Sequence, residues 1–412
     1  MAGHRNASRI SVVIPTYNRS GLLRKTLHQL TRQDLPAQDF EVIVADDGSS
    51  DDTKAVVEEF ADTLKTAYHF QPDLGFRAGT ARNSGAQLAS GDVLVFLDTG
   101  AMAGPQFLRN HLAAHQDPDR PQVVLGYTYG YNPEEPMPGL AEVLDRYPPE
   151  QAVARFGEDP AFRDLRHEPL IACGYDLNRR TLPWSVTWTV NCSVRSEDFW
   201  AIGGFDETFV GWGAEDLEFG LRMHERGLGF QLNRDAWAIE SPHIRNWGVM
   251  YPEFIDNMGH LLAKHRNPIM EIGLRLIVDM KSILLWEDCA TELHAWTEQV
   301  RERDVREELQ AALRESDRHD RIAIIGCGAA APEWLEQPAV LLDFDRQLLE
   351  QALADGRHTG EHTLGLRTSL PDHCVDTVVI TSRLAGLRER WNDDLVIEAH
   401  RLGRRVIDAS YA

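Results

Sequence analysis

The chain has 412 residues, of which 43% are hydrophobic and 26% charged, a composition that fits two or three folded domains and excludes wholesale disorder. Acidic residues outnumber basic residues 64 to 42, which gives a net charge of −22. This charge disfavours binding to nucleic acid or to anionic membranes.

Strand and helix patterns alternate over the first third of the chain. Predicted strands cover residues 10–14, 40–45, 66–70, 93–97 and 123–126, with helices starting near 20, 51 and 78 between them. This alternation predicts a parallel sheet covered by helices, an α/β arrangement. Ligands of such sheets bind at the carboxyl ends of the strands, where the polar motifs of this chain also fall.

The composition changes along the chain predict three parts. They are residues 1–248, divided into a nucleotide-binding half (1–127), a Pro- and Tyr-rich insertion (128–183) and an acceptor half (184–248), then a helical segment (249–320) and a small Rossmann-like α/β domain (321–412). Insertions of this length are usually functional loops. The most hydrophobic segment, residues 272–286, carries three charged side chains, so we expect no membrane-spanning segment.

Polar residues follow the first two predicted strands, in the segments SVVIPTYNR and VIVADDGSS. A carboxylate of Asp46 or Asp47 can accept a hydrogen bond from a nucleotide base or ribose, and Tyr17 can stack on a planar ring. The same residues also suit a plain strand end followed by a capped helix. The motif alone leaves both interpretations open.

A helix start built of small residues lies in the segment GFRAGTARNSG. Backbone N–H groups and the helix dipole favour an anion such as a diphosphate there, beside Arg77 and Arg82. Tight helix–sheet packing with Arg82 in a salt bridge is the alternative. Asp98, which ends the apolar run VLVFL, can hold a hard cation that bridges to phosphates.

The most informative segment is GGFDETFVGWGAEDLEFGLR, at residues 203–222. Trp212 offers an apolar platform for a sugar face, and Glu215 or Asp216 can take a hydroxyl proton as a general base. An acidic helix start stabilised by the helix dipole is the alternative. His243, in SPHIR, can ligate a metal together with Asp98, although most histidines are structural.

Together and in this order, the motifs resemble family 2 glycosyltransferases of the GT-A fold over roughly residues 9–250. The later motifs also look like the acceptor block of galactosyltransferase and chondroitin-polymerase enzymes. The resemblance implies an inverting glycosyltransferase of the hexosyltransferase class. Such an enzyme moves a sugar from a nucleoside-diphosphate sugar, here expected to be UDP-linked, to an acceptor.

The resemblance also implies a role for each matching position. Donor contacts fall on Pro15, Tyr17, Asp46, Asp47, Arg77, Arg82 and Asp98; acceptor contacts on Trp212 and Asn191; the base on Asp216, with Glu215 orienting the acceptor; metal ligands on Asp98 and His243. A small molecule, a peptide or a saccharide is the expected acceptor. A natural product is slightly favoured.

One position departs from the family pattern, because Gly100 stands where the family has the second Asp of Asp-x-Asp. A divalent cation, Mn²⁺ or Mg²⁺, held by the two remaining ligands with water and the diphosphate is one possibility. Neutralisation of the leaving group by Arg77, Arg82 or Arg245 is a second. The alternative to an enzyme is a non-catalytic nucleotide-sugar-binding or scaffold protein.

The segment from 321 resembles the core of a class I methyltransferase through IAIIGCG and Asp343. A lone glycine turn is a weak indication of a cofactor. We therefore expect a shrunken Rossmann-like domain used for packing or pairing, with homo-oligomerisation through residues 249–412 possible. The five scattered cysteines and the absence of an apolar signal segment in MAGHRNASRI lead us to expect a cytoplasmic location.

Overall fold

The computed structural model describes residues 9–132, 135–314, 316–317, 319–329, 334–335 and 337–409. Residues 1–8, which contribute to the expected cytoplasmic location, lie outside the described residues. The chain divides into two units, Met1–Asn257 and Met258–Ala412. Among the helices that the structure describes, none is long and apolar enough to cross a membrane.

Aliphatic and β-branched runs form the strands of the first unit. They are β1 (Ile10–Thr16), β2 (Phe40–Asp46), β3 (Thr66–Phe70), β4 (Val93–Leu97), β5 (Ala101–Ala103), β6 (Gln122–Tyr129), β7 (Asn191–Arg195) and β8 (Gly229–Glu240). The sheet order is β3-β2-β1-β4-β7-β6-β8-β5. β3, β2, β1 and β4 pair in parallel, as predicted, whereas β7 runs antiparallel to both of its neighbours.

Helices cover this sheet. They are α1 (Ser20–Leu30), α2 (Thr53–Glu59), α3 (Ala78–Leu88), α4 (Phe107–Ala114), α5 (Leu140–Arg146), α6 (Pro149–Phe156), α7 (His167–Ala172), α8 (Ser196–Ala201), α9 (Glu215–Glu225) and α10 (Trp247–Lys264). Leu23 and Leu27, one turn apart on α1, share a fully buried core with Ile14 of β1. Burial of such side chains stabilises the layer by roughly 2 kcal/mol each.

The insertion is more regular than its sequence predicts. Residues 128–183 contain the end of β6 and the short helices α5, α6 and α7, whose Leu140, Leu144 and Ala152 join a core with Ile239 of β8. The strand predicted to begin at 184 begins only at Asn191, because the residues after Leu182 form a tight helical turn that starts at a proline. Proline supports such a turn and cannot donate to a strand ladder.

Elements of the second unit follow α10. They are α11 (Pro268–Val278), α12 (Trp286–Gln299), α13 (Arg306–Ala312), β9 (Ile322–Ile325), β10 (Ala339–Asp343), α14 (Arg346–Ala352), β11 (Thr359–His362), β12 (Val375–Ile380), α15 (Arg388–Leu402) and β13 (Gly403–Asp408). The sheet order is β11-β10-β9-β12-β13 and all of its pairs are parallel. This is the Rossmann strand order, as predicted.

The division between the units differs from the predicted one at 248. It falls inside α10, whose residues up to Asn257 belong to the first unit. The helical segment also does not stand apart. Val305, Leu309 and Leu313 are buried with Ile322 and Leu341 of the Rossmann-like sheet, so these helices belong to the second unit.

Side chains of the protein itself occupy the glycine turn after β9. The Gly328 N–H donates to Asp343 Oδ2 over 2.7 Å, and Arg383 pairs with the same carboxylate at 3.2 Å. Both side chains of this pair are fully buried. Asp343 is therefore committed to internal contacts, and the methyltransferase resemblance stays a prediction.

Candidate active site

Asp46, at the end of β2, has an internal role. The residue is 1% exposed, and it accepts hydrogen bonds from the Ser49 backbone N–H at 2.7 Å and the Tyr68 hydroxyl at 2.6 Å. These bonds fix the turn that follows the strand. Asp46 therefore supports the turn, and its contact with the donor stays a prediction.

Asp47, the next residue, faces the segment after β3. It accepts from Gln71 Nε2 at 2.6 Å and from the Arg77 backbone N–H at 2.7 Å, and it pairs with the Arg77 guanidinium at 3.4 Å. The Arg77 guanidinium also donates to the Pro72 carbonyl. The structure thus brings together two predicted donor-binding residues, with Arg77 already paired.

Tyr17 extends from the end of β1 beside this turn. Its hydroxyl donates to Asp73 at 2.7 Å, and the residue is 43% exposed, so its ring is free to stack on a ligand. Gly48 has φ +96°, and a Cβ there would lie 2.4 Å from the Asp73 backbone nitrogen. Only glycine allows this approach. Pro15, the other predicted base-lining residue, accepts a hydrogen bond from Thr99 Oγ1 through its carbonyl.

Arg82 links the two halves of the first unit. From α3 it donates to Asp98 at 2.9 Å and to Glu215 at 3.0 Å, and it is almost fully buried. Burial lowers the pKa of Arg82, but the two carboxylates raise it further, so that the side chain stays charged. The salt-bridge interpretation of Arg82 is thus the one observed. Arg82 joins the end of β4 to the first turn of α9 and acts as a positioning residue.

Two other side chains hold the glycine-rich segment before α9. The Asn83 amide donates to the Phe205 carbonyl at 2.9 Å and accepts from the Phe205 N–H at 2.8 Å. Arg222 donates to the carbonyls of Ile202 and Gly204, each at 2.7 Å. Residues of two separate sequence motifs therefore clamp one loop, which fixes where α9 begins.

Glu215 and Asp216 form the first turn of α9. The preceding Ala214 has φ +68°, a left-handed conformation that is rare and strained for a residue with a side chain. Burial, and then the Glu215 carboxylate, raise the pKa of Asp216, whereas Arg82 lowers it. Within the described ranges, Glu215 Oε2 is buried without a hydrogen-bond partner. A desolvated carboxylate with a raised pKa is suited to act as a general base.

Trp212 lies just before this pair of acids. Its indole packs edge-to-face against Trp247 at 5.5 Å and Phe254 at 5.2 Å, and its backbone N–H donates to Glu253 at 2.9 Å. The partners all come from the first part of α10, which explains why that part belongs to the first unit. The half-buried indole is therefore held rigidly, as a platform for a sugar ring requires.

Asp98 and His243 were the predicted metal ligands. Burial, and then Arg245, lower the pKa of His243 to about 4, so that its imidazole is neutral. Its Nδ1 lies 3.3 Å from the Ser241 carbonyl, which can only accept, so Nδ1 carries the proton and the Nε2 lone pair is left for a ligand. Among the described residues, no cluster of three or more His, Cys, Asp or Glu side chains could hold a metal.

These two ligands fit a cation that takes its other ligands from a diphosphate and water, as Mg²⁺ commonly does. The side chain of Asp98 is 39% exposed and one of its oxygens bonds to Arg82, which leaves the other for a cation. They do not fit a cation enclosed by protein side chains alone. Gly100 supplies no ligand.

Three further residues lie close to this cluster, and the sequence motifs gave them no role. Burial, and next the charge of Glu240, raise the pKa of Tyr131. The charges of Asp216 and Asp98 raise it as well. Burial raises the pKa of Glu240 to about 7, although Arg245 opposes the shift. Arg19, which ends SVVIPTYNR, interacts electrostatically with Asp98 and Glu240. Arg19 lies in a motif and Glu240 lies next to one, so the sequence could have indicated both. Tyr131 lies in a segment without periodicity, and nothing in the sequence indicates it.

Asn191 does not reach the acceptor side of the cleft. It is fully buried in β7, its amide donates to the Ala236 carbonyl at 2.9 Å, and its oxygen lies 2.9 Å from His111 Nε2. A side chain with both polar atoms bonded inside the sheet has none left for an acceptor. The predicted acceptor contact of Asn191 is therefore corrected to a structural role.

Comparisons with known proteins show the family of the chain. A family model described as glycosyl transferase family 2 matches residues 11–181, and one described as the N-terminal domain of galactosyltransferase matches 170–241. Validoxylamine A glucosyltransferase of Streptomyces hygroscopicus subsp. limoneus is 40% identical over 97% of this chain and 90% of its own length. An uncharacterized glycosyltransferase of Bacillus subtilis, YfnE, is 32% identical over 62% and 70%. The solved structure of S. aureus TarS 1–349 is 21% identical, with a TM-score of 0.43, over 62% of this chain and 65% of that one.

The family match and the 40% identical relative define a nucleotide-sugar glycosyltransferase. The chain belongs to glycosyltransferase family 2. The alternative of a non-catalytic scaffold, which Gly100 motivated, is therefore set aside.

Proposed function

We propose that the protein transfers glucose from UDP-glucose, with inversion, to a hydroxyl of a small natural product. The observation that carries the proposal is the raised pKa of Asp216 beside Glu215, at the start of a helix that Arg82 ties to Asp98. A carboxylate with a raised pKa, linked through Arg82 to the strand end where a donor diphosphate is expected, supports this proposal.

The chemistry proposed is a single displacement. The Asp216 carboxylate takes the proton of the acceptor hydroxyl while the acceptor oxygen forms a bond to the anomeric carbon. The bond from that carbon to the phosphate oxygen breaks, and the nucleoside diphosphate leaves with the electron pair. One attack from the face opposite the leaving group inverts the anomeric configuration, and base assistance is typically worth about 10²–10⁴-fold in rate.

A divalent cation, Mg²⁺ or Mn²⁺, is part of the proposal. Asp98 and His243 would hold it, and it would neutralise negative charge on the departing diphosphate. The neutral imidazole of His243 and the exposed oxygen of Asp98 support these ligands.

The donor and acceptor rest on different observations. The Asp47 carboxylate, anchored by Gln71, suits a base with an imino N–H, a group that uracil shares with thymine and guanine. The acceptor class comes from the name of the 40% identical relative, which acts on validoxylamine A. The rigid Trp212 platform is compatible with such a sugar-like molecule.

The test is turnover of a donor panel, UDP-glucose, GDP-mannose, ADP-glucose and dTDP-glucose, with validoxylamine A, by wild type and by Asp216→Asn. We expect the wild type to prefer UDP-glucose. The variant should lose about 10²-fold or more in kcat, and donor affinity should stay unchanged. The anomeric configuration of the product, measured by NMR, tests inversion.

Glu225→Gln is a matched control, because Glu225 is an exposed acid in the last turn of the same helix. Its turnover should equal that of the wild type. Retained turnover in Asp216→Asn would show that Asp216 is not the base. Preference for a donor other than UDP-glucose would replace the donor and leave the base assignment intact.

A further inference from the structure

Helix α10 presents two polar side chains to the loop at residues 211–213. Glu253 and Asn257 lie four residues apart and so share one face of the helix. The Glu253 carboxylate accepts the Trp212 backbone N–H at 2.9 Å. The amide of Asn257, a residue that is 5% exposed, donates to the Gly213 carbonyl at 2.9 Å and to the Gly211 carbonyl at 3.3 Å. Every residue of the loop is therefore bound by the same face of α10.

The loop also packs closely on this face. A Cβ at Gly211 would lie 3.0 Å from the Glu253 Cβ, and a Cβ at Gly213 would lie 2.7 Å from the Phe254 ring. The Phe254 ring in turn packs edge-to-face on the Trp212 indole at 5.2 Å. Because neither neighbour of Trp212 leaves room for a side chain, α10 holds the backbone on both sides of the indole.

The two acids that follow the loop are held by a different part of the protein. Arg82, from α3, donates to Glu215 at 3.0 Å and fixes the first turn of α9. The contacts from α10 reach Trp212 and the glycines beside it instead. Loss of the α10 contacts should therefore free the indole and leave the acids in place. The indole and the acids thus have separate supports, which substitutions can test one at a time.

We propose that Glu253 and Asn257 are positioning residues of the transfer reaction, which act through Trp212 on the binding of the acceptor. The inference rests on the proposed function, because it assumes that a sugar-like acceptor packs on the Trp212 indole. An indole that is held in place before the acceptor arrives loses less conformational entropy on binding. The Glu253 carboxylate suits this task, since a hydrogen bond to an ionised acceptor is about twice as strong as a neutral one.

The test is the acceptor KM, measured with UDP-glucose and validoxylamine A on the full chain. Glu253→Leu removes the acceptor of the Trp212 N–H, whereas Glu253→Gln keeps an oxygen that can accept it. We expect Glu253→Leu to raise the acceptor KM about 3-fold to 10-fold, the range for one lost hydrogen bond, with hydrolysis of UDP-glucose unchanged. Glu253→Gln should stay within about 2-fold of the wild type. Asn257→Leu, which removes the amide donors, should act as Glu253→Leu does.

A double-mutant cycle separates this role from a general contribution to folding. If Glu253 acts through Trp212, Glu253→Leu should change the acceptor KM little in a Trp212→Ala background, because the indole that it holds is absent. A residue that only stabilised the fold would have the same effect in both backgrounds. Asp256→Asn is the matched control, because Asp256 is an exposed acid of the same helix, and it should keep the KM of the wild type.

Three results would overturn the inference and leave the proposed function standing. They are equal effects of Glu253→Leu in the two backgrounds, a Glu253→Gln variant as impaired as Glu253→Leu, or an unchanged acceptor KM in both leucine variants. If Glu253→Leu does not fold, Asn257→Leu takes its place in the cycle. If the wild type does not glucosylate validoxylamine A, the proposed function fails, and the inference fails with it. The two failures are therefore distinguishable.

Discussion

Replacing Arg82 by Met tests whether this arginine holds the site together. The substitution keeps much of the volume and removes the charge that joins Asp98 to Glu215. Glu215 would then be left as a buried carboxylate next to Asp216, with no cation between the acids and the end of β4.

The expected loss of stability follows from the burial of each partner. Side-chain exposure is 5% for Arg82 and 10% for Glu215, and breaking such a buried pair typically costs about 3–5 kcal/mol. The Asp98 side chain is 39% exposed, so its contribution is screened and adds less than about 1 kcal/mol. We expect a loss of about 3 kcal/mol, which lowers the Tm of a unit of this size by about 6–12 °C.

Scanning calorimetry of wild type and Arg82→Met measures this shift. Arg24→Met is the control, because its exposed pair with Glu59 should be worth less than about 1 kcal/mol. A shift in Arg82→Met no larger than that of the control would refute the reasoning. It would show that Glu215 finds another partner or water when the arginine is absent.

Three further predictions concern the base, the platform and the second unit. The proposed base works only when deprotonated, and burial raises the pKa of Asp216 above its ordinary value of 3.8. The pH at which kcat/KM rises should therefore lie well above 3.8. A rise centred near 3.8 would contradict the assignment. Trp212→Ala should raise the acceptor KM about 3-fold to 10-fold and leave donor hydrolysis unchanged, and Trp212→Phe should raise this KM less. Equal effects on transfer to the acceptor and on donor hydrolysis would argue against an acceptor platform. Arg383→Met should destabilise the second unit by about 3 kcal/mol in denaturant titrations, because Asp343 is fully buried; a change below about 1 kcal/mol would mean that the pair is not needed.

The sequence was sufficient to predict the strands of the parallel half of the first sheet, but it did not reveal β5 or β8. Aliphatic runs such as Val93–Leu97 have one stable place, the interior of a covered sheet. Since parallel strands end at one edge, Asp47 and Asp98 had to lie on the same side. Proximity of this kind follows from topology without knowledge of any side-chain contact.

The partners of those residues could not be predicted, because they depend on packing between distant segments. Arg82 lies 133 positions from Glu215 in the chain. Its motif was compatible with either a ligand contact or a salt bridge. The resemblance gave Asn191 an acceptor contact, but this residue is buried because β7 lies between β4 and β6. The division at 257 depends on Trp247 and Phe254 packing on Trp212, which helical periodicity does not reveal.

Gly100 is best understood from its backbone. Its φ of +100° is a conformation that L side chains rarely adopt, and a Cβ there would lie 3.5 Å from the nearest methyl of Leu22, a residue of α1. Its N–H is bound by Thr26 and its carbonyl by Ser241, so the conformation is held from both sides. A carboxylate at this position would start toward an apolar side chain of α1 on a strained backbone. The missing Asp is thus part of a local geometry and not an isolated loss.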